Sequence, residues 1–256
     1  YDGPPARLAQ AAPTEPSAAE PSATEPSPTE PSPTEPSPTE PSPTEPTPTE
    51  PSPTEEPAAV VVSDAVFAWS LSQQSNAASH EPGRYNFFSA GAANPGGGGR
   101  KLTADKWSAR EGNVSITKQR RDGSYALATF AGLTTGASGE TVGLYGPFSG
   151  HRVTVARGRG SVAPATDDAT IQWAGTFTVV YYSGRTVFTL SNIELDIAGG
   201  DGVVRATAGG WAADRSDPDS WVEVTPREVT LADLRDVDVT PDGAVATPQY
   251  DGVTVT

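Results

Sequence analysis

From Trp173 to Ile197 the chain reads W-A-G-T-F-T-V-V-Y-Y-S-G-R-T-V-F-T-L-S-N-I-E-L-D-I, and this stretch restricts the fold more than any other. β-Branched and aromatic residues fill two runs, 170–182 and 186–197, on either side of Ser183-Gly184-Arg185, a connection of hairpin length. Similar signals recur along the chain. Residues 60–69 alternate well enough for a strand, and 113–118 set Val114 and Ile116 on one face. Asp122-Gly123 marks a turn before a strand at 125–130, and another is expected at 152–156. Gly199 to Gly202 make a turn into 203–208, and Pro241-Asp242-Gly243 separates expected strands at 237–239 and 250–255. Thr230-Leu231-Ala232-Asp233 has the spacing of a capping box, which predicts one short helical turn. Residues 90–100, with Asn94-Pro95 and four successive glycines, read as a mobile surface loop. The expectation is an all-β domain over 58–256: an antiparallel two-sheet β-sandwich with one short helix.

Residues 1–57 cannot belong to that domain. They hold 18 of the 26 prolines, and from Glu15 to Glu55 a glutamate recurs at every fifth position within units of the form E-P-S-P-T. So few apolar side chains cannot offset the entropy of ordering the backbone. Alternate prolines favour polyproline II, and the regular glutamates repel one another, so a disordered, extended acidic stalk is expected. Serine and threonine beside proline are candidate O-glycosylation acceptors.

Charge divides the same way. Residues 1–59 have 11 acids against Arg7, or −10; the remainder has 21 acids against 16 bases, or −5, which together give the net −15. An acidic chain without a basic stripe offers nucleic acid no electrostatic footprint. The longest apolar run, 58–62, is far short of a membrane span, so no membrane insertion is expected within this segment. With no cysteine there are no disulfides and no thiolate chemistry; with no methionine the chain is expected to be a mature or excised segment.

Candidates for chemistry are few. The two histidines, His80 and His151, sit in no nucleophile elbow and near no recognisable partner Asp, and they are too few for a zinc site. No enzyme activity is expected. Asp214, Asp217 and Asp219 could hold calcium through oxygen ligands, but A-D-R-S-D-P-D-S also reads as a plain surface turn, the preferred interpretation. Trp69, Trp173, Phe177, Tyr181 and Phe188 are expected in the core. Trp107, Trp211 and Trp221 flank loops, where large rings cap a core or make a contact face.

Three strings carry a family resemblance: S-D-A-V-F-A-W-S at 63–70, N-F-F-S-A-G at 86–91, and the order of segments from Trp173 to Val253. They resemble the Htaa domains, exported actinobacterial modules associated with haem uptake. The resemblance covers most of 58–256. It implies a two-sheet β fold, an extracellular or cell-wall-associated location, and surface proteins, wall polymers or haem as partners. Haem-binding members of that family place an axial tyrosine about nine residues after the first tryptophan; here Ala78 stands near that place. They also carry a supporting histidine in the central hairpin turn, and here Tyr182 takes its position. Tyr85 and His80 lie nearby, and tyrosine and histidine both ligate haem iron. Tyr85, Tyr182 and His80 are therefore the candidate haem ligands. The resemblance, with these two departures from the haem-binding pattern, implies a non-enzymatic binding or adhesion module that has lost the cofactor; the alternative is a haem-binding domain of an exported uptake system.

Overall fold

The computed structural model describes residues 58–213, 217 and 220–250. The expected stalk, the part of the last expected strand beyond Tyr250, and Asp214 and Asp219 of the acidic cluster lie outside the described residues. Strands dominate: β1 (Val60–Trp69), β2 (Phe87–Ala90), β3 (Arg110–Glu111), β4 (Val114–Gln119), β5 (Tyr125–Leu127), β6 (His151–Ala163), β7 (Asp168–Tyr181), β8 (Thr186–Ala198), β9 (Asp201–Ala213) and β10 (Trp221–Leu234). Every pairing among them is antiparallel, so the domain is all-β.

The central hairpin forms where its sequence places it. β7 and β8 pair from Ala169 opposite Ile197 to Tyr181 opposite Thr186. Along β7, Ala169, Ile171 and Trp173 are buried in alternation, whereas 177–180 are buried without a break. The cause is burial on both faces. Phe177 and Val179 join the main core with Phe88, Val114, Val153 and Leu190. Val180 faces a second cluster with Phe87, Ala93, Leu102 and Leu133.

Two separate sheets were expected; the strands form one continuous sheet that curls and forks. Its main path runs β10-β9-β8-β7-β6-β4-β3. β1 occupies one edge of β6 from Val153 to Val162. On the opposite edge, 159–163 pair with β7 while 151–155 pair with β4. β7 divides likewise, since 168–172 pair with β6 and 177–180 with β2. Small residues sit at the split: an added Cβ at Gly158 would lie 2.2 Å from Trp173 Nε1, and one at Gly175 (φ +136°) would meet Val114. The Asn113 amide donates to Ala156 O and to Ala174 O, tying the two arms together. Val114 and Ile116 on one arm and Phe177 and Val179 on the other share the main core.

Two local expectations are corrected. Thr230–Asp233 is not helical but part of β10, where Thr230 pairs with Arg205 and Ala232 with Val204. A capping box without an amphipathic run behind it is outweighed by the ladder to β9. Val237 and Val239 are buried, yet residues 237–239 join no strand. Val237 N donates to Gly200 O and Val239 N to Asp167 Oδ1, so turn residues supply the partners a neighbouring strand would have given.

Candidate functional site

The turn between β7 and β8 is where the resemblance placed a functional residue, and it is tightly held. Tyr182 and Ser183 both adopt positive φ (52° and 55°), an uncommon conformation for side-chain-bearing residues. Hydrogen bonds hold it there. Tyr182 N donates to Asn86 Oδ1, Ser183 N donates to Tyr85 O, and Arg84 Nη1 donates to Tyr182 O. The backbone of Tyr182 is thereby fixed, while its phenol makes no hydrogen bond among the described residues.

Segment 73–80 packs beside this turn. Its 3-10 turn, Gln74–Asn76, is docked by two buried polar residues. Ser75 Oγ lies 2.9 Å from Tyr181 Oη. Asn76 Oδ1 accepts from Ser149 Oγ and from His151 N, and its amide reaches the carbonyls of Ser70 and Ser72. Asn86 completes the link by donating to Gln74 O. The third wall is the loop 143–149, joined through Ala78 N to Gly143 O and Ser149 N to Asn76 O. Gly143 is a close approach, since a Cβ there would lie 2.3 Å from Gly146 O.

These three segments enclose a groove of about 540 Å³. Gln73, Gln74, Ala78, His80 and Tyr182 line it together with Leu144, Tyr145 and Phe148. Tyr145 is 86% exposed, a large ring standing in solvent at the rim. The lining contains no carboxylate, lysine or arginine. Arg84, which holds the Tyr182 carbonyl, and Arg185 both pair with Glu81, and Arg84 also donates to Gly99 O.

The structure thus brings His80 and Tyr182 to one groove, with Ala78 between the same walls. Tyr85 is not part of it. Its backbone bridges Ala78, and its side chain packs against the second core cluster. His151 is also elsewhere, buried at the start of β6 with neither ring nitrogen hydrogen-bonded. Burial, assisted by the nearby positive Lys118, pushes its pKa down to about 3 and keeps the ring neutral. Lys118 itself donates to the carbonyls of Gly132, Thr135 and Ser149, which ties the loops around this side of the barrel-like curl to β4. Burial lowers its pKa, a shift partly opposed by Glu140.

Tyr145, Phe148 and the two glutamines were missed from sequence. The string G-L-Y-G-P-F at 143–148 carried a signal, because aromatic residues between turn-forming glycine and proline have little core to enter. Of the tryptophans expected to flank loops, Trp107 caps the core through a bond to Phe88 O, Trp211 lies within β9, and Trp221 opens β10 and reaches Asn94 Oδ1. Among the described residues, no group of three metal-capable side chains converges, and no helix is long and apolar enough to cross a membrane.

A larger cleft of about 970 Å³ runs along β1 between Val62, Phe67, Ile171, Ile197 and Leu234. Its walls are side chains of the main core together with Asp64 of β1 and the segment 238–248, and none of the candidate haem ligands lines it. Compared with protein-family models, with curated proteins and with solved structures, the chain matches none.

Proposed function

We propose that residues 58–256 are a non-enzymatic, Htaa-like binding module, held outside the cell on the extended acidic stalk of residues 1–57. Its partner is a protein or polymer of the cell surface or wall. The observation that carries this reading is the groove itself. It is an open concavity on a β frame, walled by amides and by the rings of Tyr145, Phe148 and Tyr182, and the carboxylate next in sequence to its imidazole, Glu81, is paired with Arg84 and Arg185. The all-β fold, with side chains from both arms of the fork in one core, supports the family reading.

Sedimentation of the full chain with isolated actinobacterial cell envelopes tests the proposal. Saturable binding that falls in a Tyr145→Ala/Tyr182→Ala variant is expected. Equal binding by the variant, or none by the parent chain, overturns it.

A haem-capture module is the second reading, favoured by one observation: His80 and Tyr182 line the same groove. Haemin titration followed at the Soret band tests it, with His80→Ala, Tyr182→Ala and Tyr85→Ala alongside. A one-to-one transition lost in the first or second variant would establish it, and a linear, unsaturated response would remove it.

A further inference from the structure

Resting on the binding reading above, we infer that the groove takes an uncharged glycan, stacking sugar rings on Tyr145, Tyr182 and Phe148 while Gln73 and Gln74 exchange hydrogen bonds with hydroxyl groups.

The lining selects this chemistry by what its atoms can do. Gln73 and Gln74 are exposed, and their side-chain amides make no hydrogen bond within the described protein. A primary amide carries two donors and an acceptor on one flat group. A sugar hydroxyl likewise donates and accepts, so vicinal hydroxyls suit free amides. Carboxylates and phosphates accept only and are held best by guanidinium or ammonium groups. Such groups are absent from the lining, and Arg84 and Arg185 at its margin are already paired with Glu81.

The rings supply the remaining contact. A pyranose presents a face of C–H bonds that packs against the negative face of an aromatic ring, a dispersion contact with a weak C–H···π component. Tyr145 offers such a face at the rim with 86% of its surface in water, and its exposure is otherwise an unfavourable use of a large ring. Tyr182 has its backbone held by Asn86 and Arg84, which fixes where its side chain leaves the turn. Asn86 is not a contact residue in this scheme. Both ends of its amide are committed to Tyr182 N and Gln74 O, which makes it a positioning residue for the groove.

The same features weigh against haem as the occupant. Two propionates would enter a lining without a cation, and their charges would lose water without compensation.

The test uses the full chain and calorimetric titration with neutral gluco-, manno- and galacto-oligosaccharides, uronic-acid oligosaccharides of equal length, and neutral glycan released from actinobacterial envelopes. At least one neutral series should bind saturably, with affinity falling on the order of tenfold in Tyr145→Ala and severalfold in Gln73→Ala/Gln74→Ala. Neither change touches the core, so circular dichroism should be unaltered. Tighter binding of the envelope glycan than of the defined oligosaccharides would identify the producing cell's own wall as the source; the reverse would point to glycans met outside it. Asn86→Ala serves as a second probe, since it should weaken binding of every glycan alike without altering preference among them. If envelopes bind through Tyr145 and Tyr182 but no neutral glycan binds or competes, the glycan assignment is wrong and the binding reading survives. If the uronic-acid series is preferred, the charge argument is wrong. If neither envelopes nor glycans bind, both fail together.

Discussion

The end of β7 and the groove beside it are a few residues apart, yet they are held by different forces. At 177–180, side chains are buried on both faces and the backbone is paired to β2 and β8 at once. The groove has neither ladder nor core. Its three walls are turns, located by the side chains of Asn76 and Asn86 and by the backbone at Tyr85 and Ser183. The frame is therefore secured by non-directional burial spread over many residues, whereas the site depends on a few directed hydrogen bonds. Damage to the first should lower stability everywhere, while damage to the second should alter geometry and binding before it alters stability.

Phe177→Ala should show the largest effect, because it removes a fully buried ring from the main core where both sheet arms meet. A loss of about 3–5 kcal/mol is expected, read from urea denaturation. A loss below about 1 kcal/mol would mean that the arms do not share one core.

Acid should act next, through His151. The imidazole is neutral in the fold with a pKa near 3, against an ordinary value of 6.5. The unfolded chain therefore takes up the proton first as pH falls, so this stabilising difference is complete above pH 6.5 and is lost progressively from 6.5 towards 3. Unfolding free energies from urea denaturation across that window should decline by a few kcal/mol in total. His151→Leu should flatten the slope above pH 4 and cost little at pH 7, since it removes two buried nitrogens that have no partner. An unchanged slope in the variant would contradict the buried, neutral assignment.

Asn76→Ala comes third. It leaves the Ser149 hydroxyl and the His151 amide without their acceptor in a buried place, a cost of about 1–3 kcal/mol. Its effect on ligand binding should exceed what that destabilisation explains at temperatures where the protein stays folded. Tyr145→Ala should be smallest in stability, within about 0.5 kcal/mol, because the ring is in solvent. A large destabilisation there would show that the rim is part of the frame, and the contrast between the two regions would collapse.

Much of the frame was legible because period-two alternation and turn residues coincide in β1, β4 and β6 to β9. What escaped had local rules pointing elsewhere. β10 contains Pro226, which argues against a strand, but it lies at the register shift between Val224 and Arg227 in an edge strand, where a missing N–H is tolerated. β2 is four residues long and fully buried, too short for a period to appear. Residues 237–239 show alternation but find partners in turns. The fork was illegible for another reason: which partner an edge takes along its length depends on small residues such as Gly158 and Gly175 meeting Trp173 and Val114, contacts distant in sequence. Of the residues that line the groove, His80, Tyr182 and Ala78 had been singled out in the sequence. Its aromatic rim was not, since a loop ring reveals whether it turns inward or outward only once the loop is folded.

Amide chemical-shift mapping by NMR of the full chain with envelope glycan tests most directly whether the groove is the binding site. The account predicts shifts confined to 73–80, 86, 144–148 and 182, with β1 and the 232–239 segment silent. Shifts concentrated along the larger cleft, at 62–69 and 232–239, would contradict it and move the function to the other side of the core.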